Sequence, residues 1–547
     1  LGDVENYDIN QTLIPAEIEA FKALLELRYL TELKGQAILE ALFEMLQISD
    51  RLDFTTLTYT NEVLVIEEIL DLIPSFLADT GCISYSDYIE LFSSFAQGTL
   101  DITEFITQEN FTRLLSILEI LIDSEINKQV VIPFYQTFIY PAFESTGNQG
   151  LIDLTKIDET VYSNEYYISD YEAIVSALVA LNEAGIYGII FNDEEINFDN
   201  VEVVEQVIRA VLDSHLFEYK ENFLVSSLID TFKQVDANIS LIDKDVIKLS
   251  TDVDYIVNAY KELVPVLTNP GFPYNQLSDL TKTATVNLYN FVNDETAYAI
   301  ISALRELVET SVLKGTIPYV MNMGKLILNN ENINEFLSYQ DRGLTTDDIV
   351  ADLVTLLEEN GVLETLIDIN VLDLINGIDI NIYNKEAYET IIRNVWDLNL
   401  LDGEYVTIVE FLASMFGFDF SSIDENVIDE AIDRETVITL VNDLVELLHN
   451  NNFDYIIPIV ETLQDTTKWN QYITEANILA LADIIKDAFG LTVLEAVLPN
   501  IVNTFTNTYV VADFRDLFYI DSNYTYADLK SDYVDHVYNI VYDLSDI

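Results

Sequence analysis

The stretch Thr107–Asp123, TQENFTRLLSILEILID, decides how this chain folds. Counted from Thr107, its apolar residues Phe111, Leu114, Leu115 and Leu118 stand 4, 7, 8 and 11 positions on, which is one face of an α-helix. The same template opens at Asn200 with Val204, Val207, Ile208 and Val211, and at Asn293 with Ala297, Ile300, Ile301 and Leu304. It returns at Asn384 with Tyr388, Ile391, Ile392 and Val395, and at Thr474 with Ile478, Leu481, Ala482 and Ile485. An earlier copy at Ile14 keeps Ile18, Phe21 and Leu25 in register. Successive openings lie 93, 93, 93, 91 and 90 residues apart, the signature of a tandem array.

Each of the five later openings is Thr or Asn, whose side chain can accept a bond from an amide of the first turn that has no partner inside the helix. Acidic residues follow within three positions, where the helix dipole favours them. A second apolar helix comes after each break, as in KGQAILEALFEML from Lys34, NKQVVIPFYQTF from Asn127, KGTIPYVMNM from Lys314 and LTVLEAVLPNIVNTF from Leu491. Gly35, Gly315, Gly403 and Gly490 are read as left-handed caps near those turns. A third helix is expected to start near Thr60, Ser169, Asp252, Thr346, Asp433 and Ser531, with Gly185 and Gly361 closing two copies.

These patterns predict an all-α chain, a tandem array of about six units of roughly 92 residues with three or four helices each, stacked as an elongated rod or shallow solenoid. The boundaries are an N-terminal segment 1–13, helical repeats at 14–106, 107–199, 200–292, 293–383 and 384–473, and an incomplete sixth at 474–547. TLDITEFIT, GIDINIYN and LDFTTLTYT alternate polar with apolar residues and leave room for short strands in the connectors.

Charge narrows the partners. Against 95 Asp and Glu there are 25 Lys and Arg, a formal net charge of −70 over 547 residues, which repels nucleic acid and anionic lipid. With 50% hydrophobic residues the chain can build packed cores and is not a disordered acidic tail. The uncharged stretch Val130 to Phe143 is broken by Pro133 and Pro141 and is too short to span a bilayer. The opening at Leu1, without Met or a signal-like segment, is read as that of a processed piece. A single Cys, Cys82, excludes an internal disulfide framework.

No phosphate loop, nucleophile elbow, dinucleotide fingerprint or zinc helix motif is present, and His215, His449 and His536 each lack a second His or Cys at ligand spacing. No catalytic residue and no organic cofactor is predicted. Cys82 occupies a cap-sealing position filled elsewhere by Ile186, Val362 and Phe453, which reads as a buried thiol. Calcium is the one ligand the composition invites, because hard cations take oxygen ligands. The weak candidate is Asp193, Glu195, Asn197 and Asp199, spaced like the start of a calcium loop but without its mid-loop Gly, and with Val204 at the twelfth position. The plainer reading is that these groups cap a helix. The 32 Tyr, among them Tyr162, Tyr166, Tyr167, Tyr383, Tyr519, Tyr524 and Tyr526, invite carbohydrate on their flat faces or else pack at seams between helices.

The function expected from these features is that of a non-catalytic structural or interaction protein of a prokaryotic cell exterior, of surface-layer, filament or adhesin-stalk type. Its partners would be other protein subunits, copies of itself, and cations. The alternatives are a cytoplasmic acidic helical-repeat scaffold of a high-salt organism, and a ligand-binding protein or enzyme with its site between repeats.

Overall fold

A computed structural model describes residues 14–79, 107–145, 149–185, 200–234, 236–269, 293–328, 337–369, 382–409, 427–464, 466–509 and 525–545, with residues 93, 187 and 334. Most of the described residues are helical, and none of them forms a strand. Contacts divide the chain into two compact units, residues 1–236 with 244–257, and residues 237–243 with 258–547.

In the first unit α1 (Ile14–Leu25), α2 (Gly35–Met45) and α3 (Tyr59–Asp79) precede α4 (Gln108–Ile122) and α5 (Glu125–Phe134), followed by α6 (Asn164–Glu183), α7 (Val201–Leu212) and α8 (His215–Phe232). Helix α3 packs between α1 and α4, and α6 between α4 and α7, giving a row α1, α3, α4, α6, α7. Phe43, Ile48, Leu57 and Val130 form a buried cluster where α2, the turn before α3 and α5 meet.

The second unit contains α9 (Asp294–Leu307), α10 (Ser311–Leu328), α11 (Thr346–Leu357), α12 (Val362–Asp368) and α13 (Lys385–Trp396). It continues with α14 (Glu430–Asn450), α15 (Glu475–Ala488), α16 (Thr492–Tyr509), α17 (Tyr526–Asp532) and α18 (Asn539–Ser545). Here the row runs α9, α12, α13, α14, α15, α18, each against the next. Its main core joins Ile301, Ile317, Tyr339, Ile349 and Leu357 from α9, α10, α11 and the turn before it.

The local chemistry of the helix starts follows the sequence. Thr107, Asn200, Asn293, Asn384 and Thr474 are all N-caps, each side chain accepting the N–H three residues on. Asn293 and Thr296 close a reciprocal capping box.

Several expectations need correction. Helices of the third type start at Tyr59, Asn164, Val253, Thr346, Glu430 and Tyr526, which places two of them five residues ahead of the starts expected at Ser169 and Ser531. Ser163 and Thr525 are the caps there, and the Tyr-rich turns that follow them had passed for connector. Of the four expected glycine caps only Gly403 has a positive φ, +72°. Gly35 has a helical φ of −58°; what it provides is space, because a Cβ there would stand 2.4 Å from the Tyr59 ring and 2.5 Å from the Leu30 carbonyl. At the end of α11 the left-handed residue is Asn360 (φ 56°) rather than Gly361, which instead caps α12 in an extended conformation. LDFTTLTYT holds no strand: the Asp53 carboxylate accepts from the Thr55 amide at 2.9 Å and from its hydroxyl at 2.6 Å, curling the segment into a turn. The other two alternating segments lie outside the described residues, apart from their last residues.

Candidate functional site

The expected calcium residues Asp193, Glu195, Asn197 and Asp199 lie outside the described residues, as does Cys82. Among the described residues no group of three or more His, Cys, Asp or Glu is arranged to hold a metal ion.

The arrangement that recurs is a buried carboxylate set on the start of a distant helical turn. Glu62 on α3 is 4% exposed, and its two oxygens accept the Glu125 amide at 3.0 Å and the Ile126 amide at 3.3 Å, the first two of α5. Asp170 on α6 accepts the His215 and Leu216 amides, the first two of α8, one on each oxygen at 2.8 Å. Asp352 on α11 accepts the Asn399 and Leu400 amides at 2.6 and 2.7 Å, opening the 3-10 turn Asn399–Leu401. Asp433 on α14, 0% exposed, accepts the Thr492 amide at 2.5 Å and the Val493 amide at 3.0 Å, the first two of α16.

The first amides of a helix have no partner within it and carry the positive end of its dipole. A carboxylate has two oxygens at the spacing of two consecutive amides. At α5 and α8 the capping residue satisfies the third: Ser124 Oγ accepts from Asn127 and Ser214 Oγ from Phe217. Each acid is therefore held in the interior by converging donors. Two are further bound by phenols. Tyr162 donates to Asp170 at 3.1 Å and Tyr405 to Asp433 at 2.8 Å, and burial, with the neighbouring aspartate, pushes both phenols well above their ordinary pKa. Groups tied in this way brace helices.

The histidines are engaged singly. His215 Nδ1 lies 3.0 Å from Asp170 Oδ1 and its ring stacks on Tyr166 at 4.0 Å; His449 Nδ1 lies 2.5 Å from Asp454 and stacks on Tyr383 at 3.8 Å. His536 has Asp532 at 3.8 Å. Of the tyrosines singled out, Tyr162 and Tyr526 are buried, Tyr526 donating to the Phe489 carbonyl at 3.1 Å. Tyr167 donates to Asn127 at 2.8 Å and burial pushes its pKa up to about 12. Tyr519 and Tyr524 lie outside the described residues. Tyr59, Tyr171 and Tyr533 likewise donate across helices, to the carbonyls of Leu25, Leu118 and Ala482. An apolar cleft of about 280 Å³ between α14 and α15 is lined by Leu447, Leu448, Phe453, Tyr472, Ile478 and Leu481. Its polar feature is an amide pair, Asn451 and Asn477, that bond each other at 2.8 and 2.5 Å.

No protein-family model, curated protein or solved structure matches the chain. No described helix is long and apolar enough to cross a membrane.

The braces are what sequence reasoning missed. Any of 95 acids could have been chosen, and the bonds join residues 45 to 64 apart. The available signal was an acid interrupting an apolar face, as Asp352 does beside Ile349 and Leu353.

Proposed function

We propose that this chain is a non-catalytic structural or interaction protein of a prokaryotic cell exterior, built as a tandem array of acidic helical units whose edges begin at Ile14, Thr107, Asn200, Asn293, Asn384 and Thr474. The observation that carries this reading is the repeated brace: four buried carboxylates each tie one helix to the start of another, and each is fully occupied in doing so. The helices at the six openings are 12, 15, 12, 14, 12 and 14 residues long. The excess of 70 negative charges suits a surface that cations screen or bridge, calcium among them.

Protease treatment of intact source cells tests the location. Release of fragments of the chain before any cytoplasmic marker supports an exterior protein; full protection until lysis overturns it. Melting the chain in millimolar calcium and in sodium chloride of equal ionic strength tests the cation. A midpoint raised by calcium alone indicates ordered sites, because a ligand of the folded state stabilises by mass action; equal shifts indicate screening and remove calcium from the proposal.

A further inference from the structure

Helix α1 packs on α3 with little apolar surface to hold it there. Among its described side chains Ile18 is the buried one, while Phe21 and Leu24 are largely exposed. Polar contacts complete the seam: Lys22 pairs with Asp71, and the Tyr59 hydroxyl donates to the Leu25 carbonyl at 3.1 Å.

Glu67 of α3 lies in the same seam, one turn before Asp71 and so on the side that Asp71 turns to Lys22. Its Oε1 is buried and has no hydrogen-bond partner. Glu62, earlier on the same helix, is the opposite case, because both its oxygens accept donors from Ser124, Glu125 and Ile126. A buried carboxylate oxygen without a donor disfavours the charged form. The charged groups acting most strongly on Glu67 are Glu19 and Lys22 of α1, Glu26 just beyond its end, and Asp71. Glu40 and Glu44 of α2, and Glu109, Arg113 and Glu119 of α4, act on it less. Burial first, and then the Glu26 carboxylate, push the Glu67 carboxyl above the ordinary glutamate value against the pull of Lys22.

We propose that α1 is a proton-controlled latch, which seats on α3 when Glu67 is protonated and loosens when Glu67 is charged. The neutral acid has a hydroxyl to donate, and Glu26 offers an acceptor from the α1 side of the seam, so one proton shared by two carboxyls ties the helices together. Loss of that proton sets the charges of Glu19, Glu26, Glu67 and Asp71 against Lys22. A carboxyl raised by docking opposes docking fully above its docked value and not at all below its undocked value, about 4.3. The latch is therefore tightest in weak acid and loosest at neutral pH and above. It depends neither on the location nor on the array proposed above.

Hydrogen exchange reports local opening of a helix, and the test follows it at about pH 5 and about pH 8. The 547-residue chain is compared with Glu67→Gln and Glu26→Gln, and the protection of residues 14–25 is divided by that of α4 in the same molecule. In the unaltered chain this ratio is expected to fall several-fold from the acid to the alkaline condition. Glu67→Gln, uncharged and still a donor, is expected to keep the high ratio in both, and Glu26→Gln to lessen the fall. Circular dichroism establishes that the variants are folded; if Glu67→Gln is not, the equally uncharged Glu67→Met replaces it. A ratio independent of pH in the unaltered chain overturns the latch. An equal fall in Glu67→Gln overturns it too, since another group would then be titrating. The alkaline measurement is repeated in about 1 M sodium chloride, where the Debye length is ~3 Å. Full recovery of the ratio there would assign the loosening to exposed like charges instead of the buried Glu67 oxygen, and would overturn the proposal.

Discussion

The α1–α2 pair and the α9–α12 group have the same amphipathic pattern, yet the first leaves far more of its apolar side exposed. In the second group Ala297, Ile301, Ile317, Ile349, Leu357 and Ile367 are buried in one cluster. In the first, Phe21, Leu24, Leu27, Leu33, Ile38, Leu42 and Met45 are exposed, Met45 by 71%. The periodicity of apolar residues therefore specifies a helix and a face, whereas burial depends on whether another element arrives to cover that face. In α9–α12 that cover comes from within the group: α9 packs against α11 and α12, and α10 against α11.

Truncation should separate the two regions most sharply. Leu357→Ala, at a residue 6% exposed, is expected to cost about 3 kcal/mol through lost transfer energy and the cavity left behind. Leu42→Ala, at a residue 45% exposed, should fall within about 0.5 kcal/mol. Denaturant unfolding of the two variants side by side measures this, and equal losses would mean that α2 is covered in solution.

The brace comes next. Removing the Asp352 carboxylate leaves the Asn399 and Leu400 amides without their acceptor, and Asp352→Ala is expected to cost about 2 kcal/mol. Asp352→Asn should do no better, because its amide nitrogen would face a second donor. Hydrogen exchange read at residues 399 and 400 should speed up in both variants while that of α9 changes less; unchanged exchange at 399 and 400 would show that the brace is dispensable.

The exposed pair also has points of close contact, the tightest of them at Gly35. Gly35→Ala would drive a methyl group into the Tyr59 ring and the Leu30 carbonyl, at an expected cost of about 2 kcal/mol from overpacking. A thermal midpoint equal to that of the unaltered chain would mean that α2 is loosely held, sharpening the contrast with α9–α12.

The smallest effect is one of pH. The Thr345 amide and hydroxyl hold the Asp348 carboxyl below its ordinary pKa. A carboxylate lowered on folding contributes stability above its unfolded value, near pH 4, and loses it as pH falls through the lowered folded value. The difference in midpoint between the unaltered chain and Asp348→Asn should therefore be full at pH 7 and close in acid. A difference that stays constant down to pH 2 would assign it to packing rather than to charge.

Sequence alone determined what is local. It specified an all-helical chain and identified the five caps Thr107, Asn200, Asn293, Asn384 and Thr474, because a cap is a bond between a side chain and an amide three residues away. It missed the starts at Asn164 and Tyr526, whose first turns are rich in Tyr. Only the tertiary structure decided which acids are buried, since Glu62, Asp170, Asp352 and Asp433 differ from the other carboxylates only in which distant helix start comes to meet them. It likewise decided that one helix pair should keep its apolar face open. Both outcomes depend on contacts between segments far apart in the chain, and the pattern of side chains along one helix contains no information about which partner will cover it.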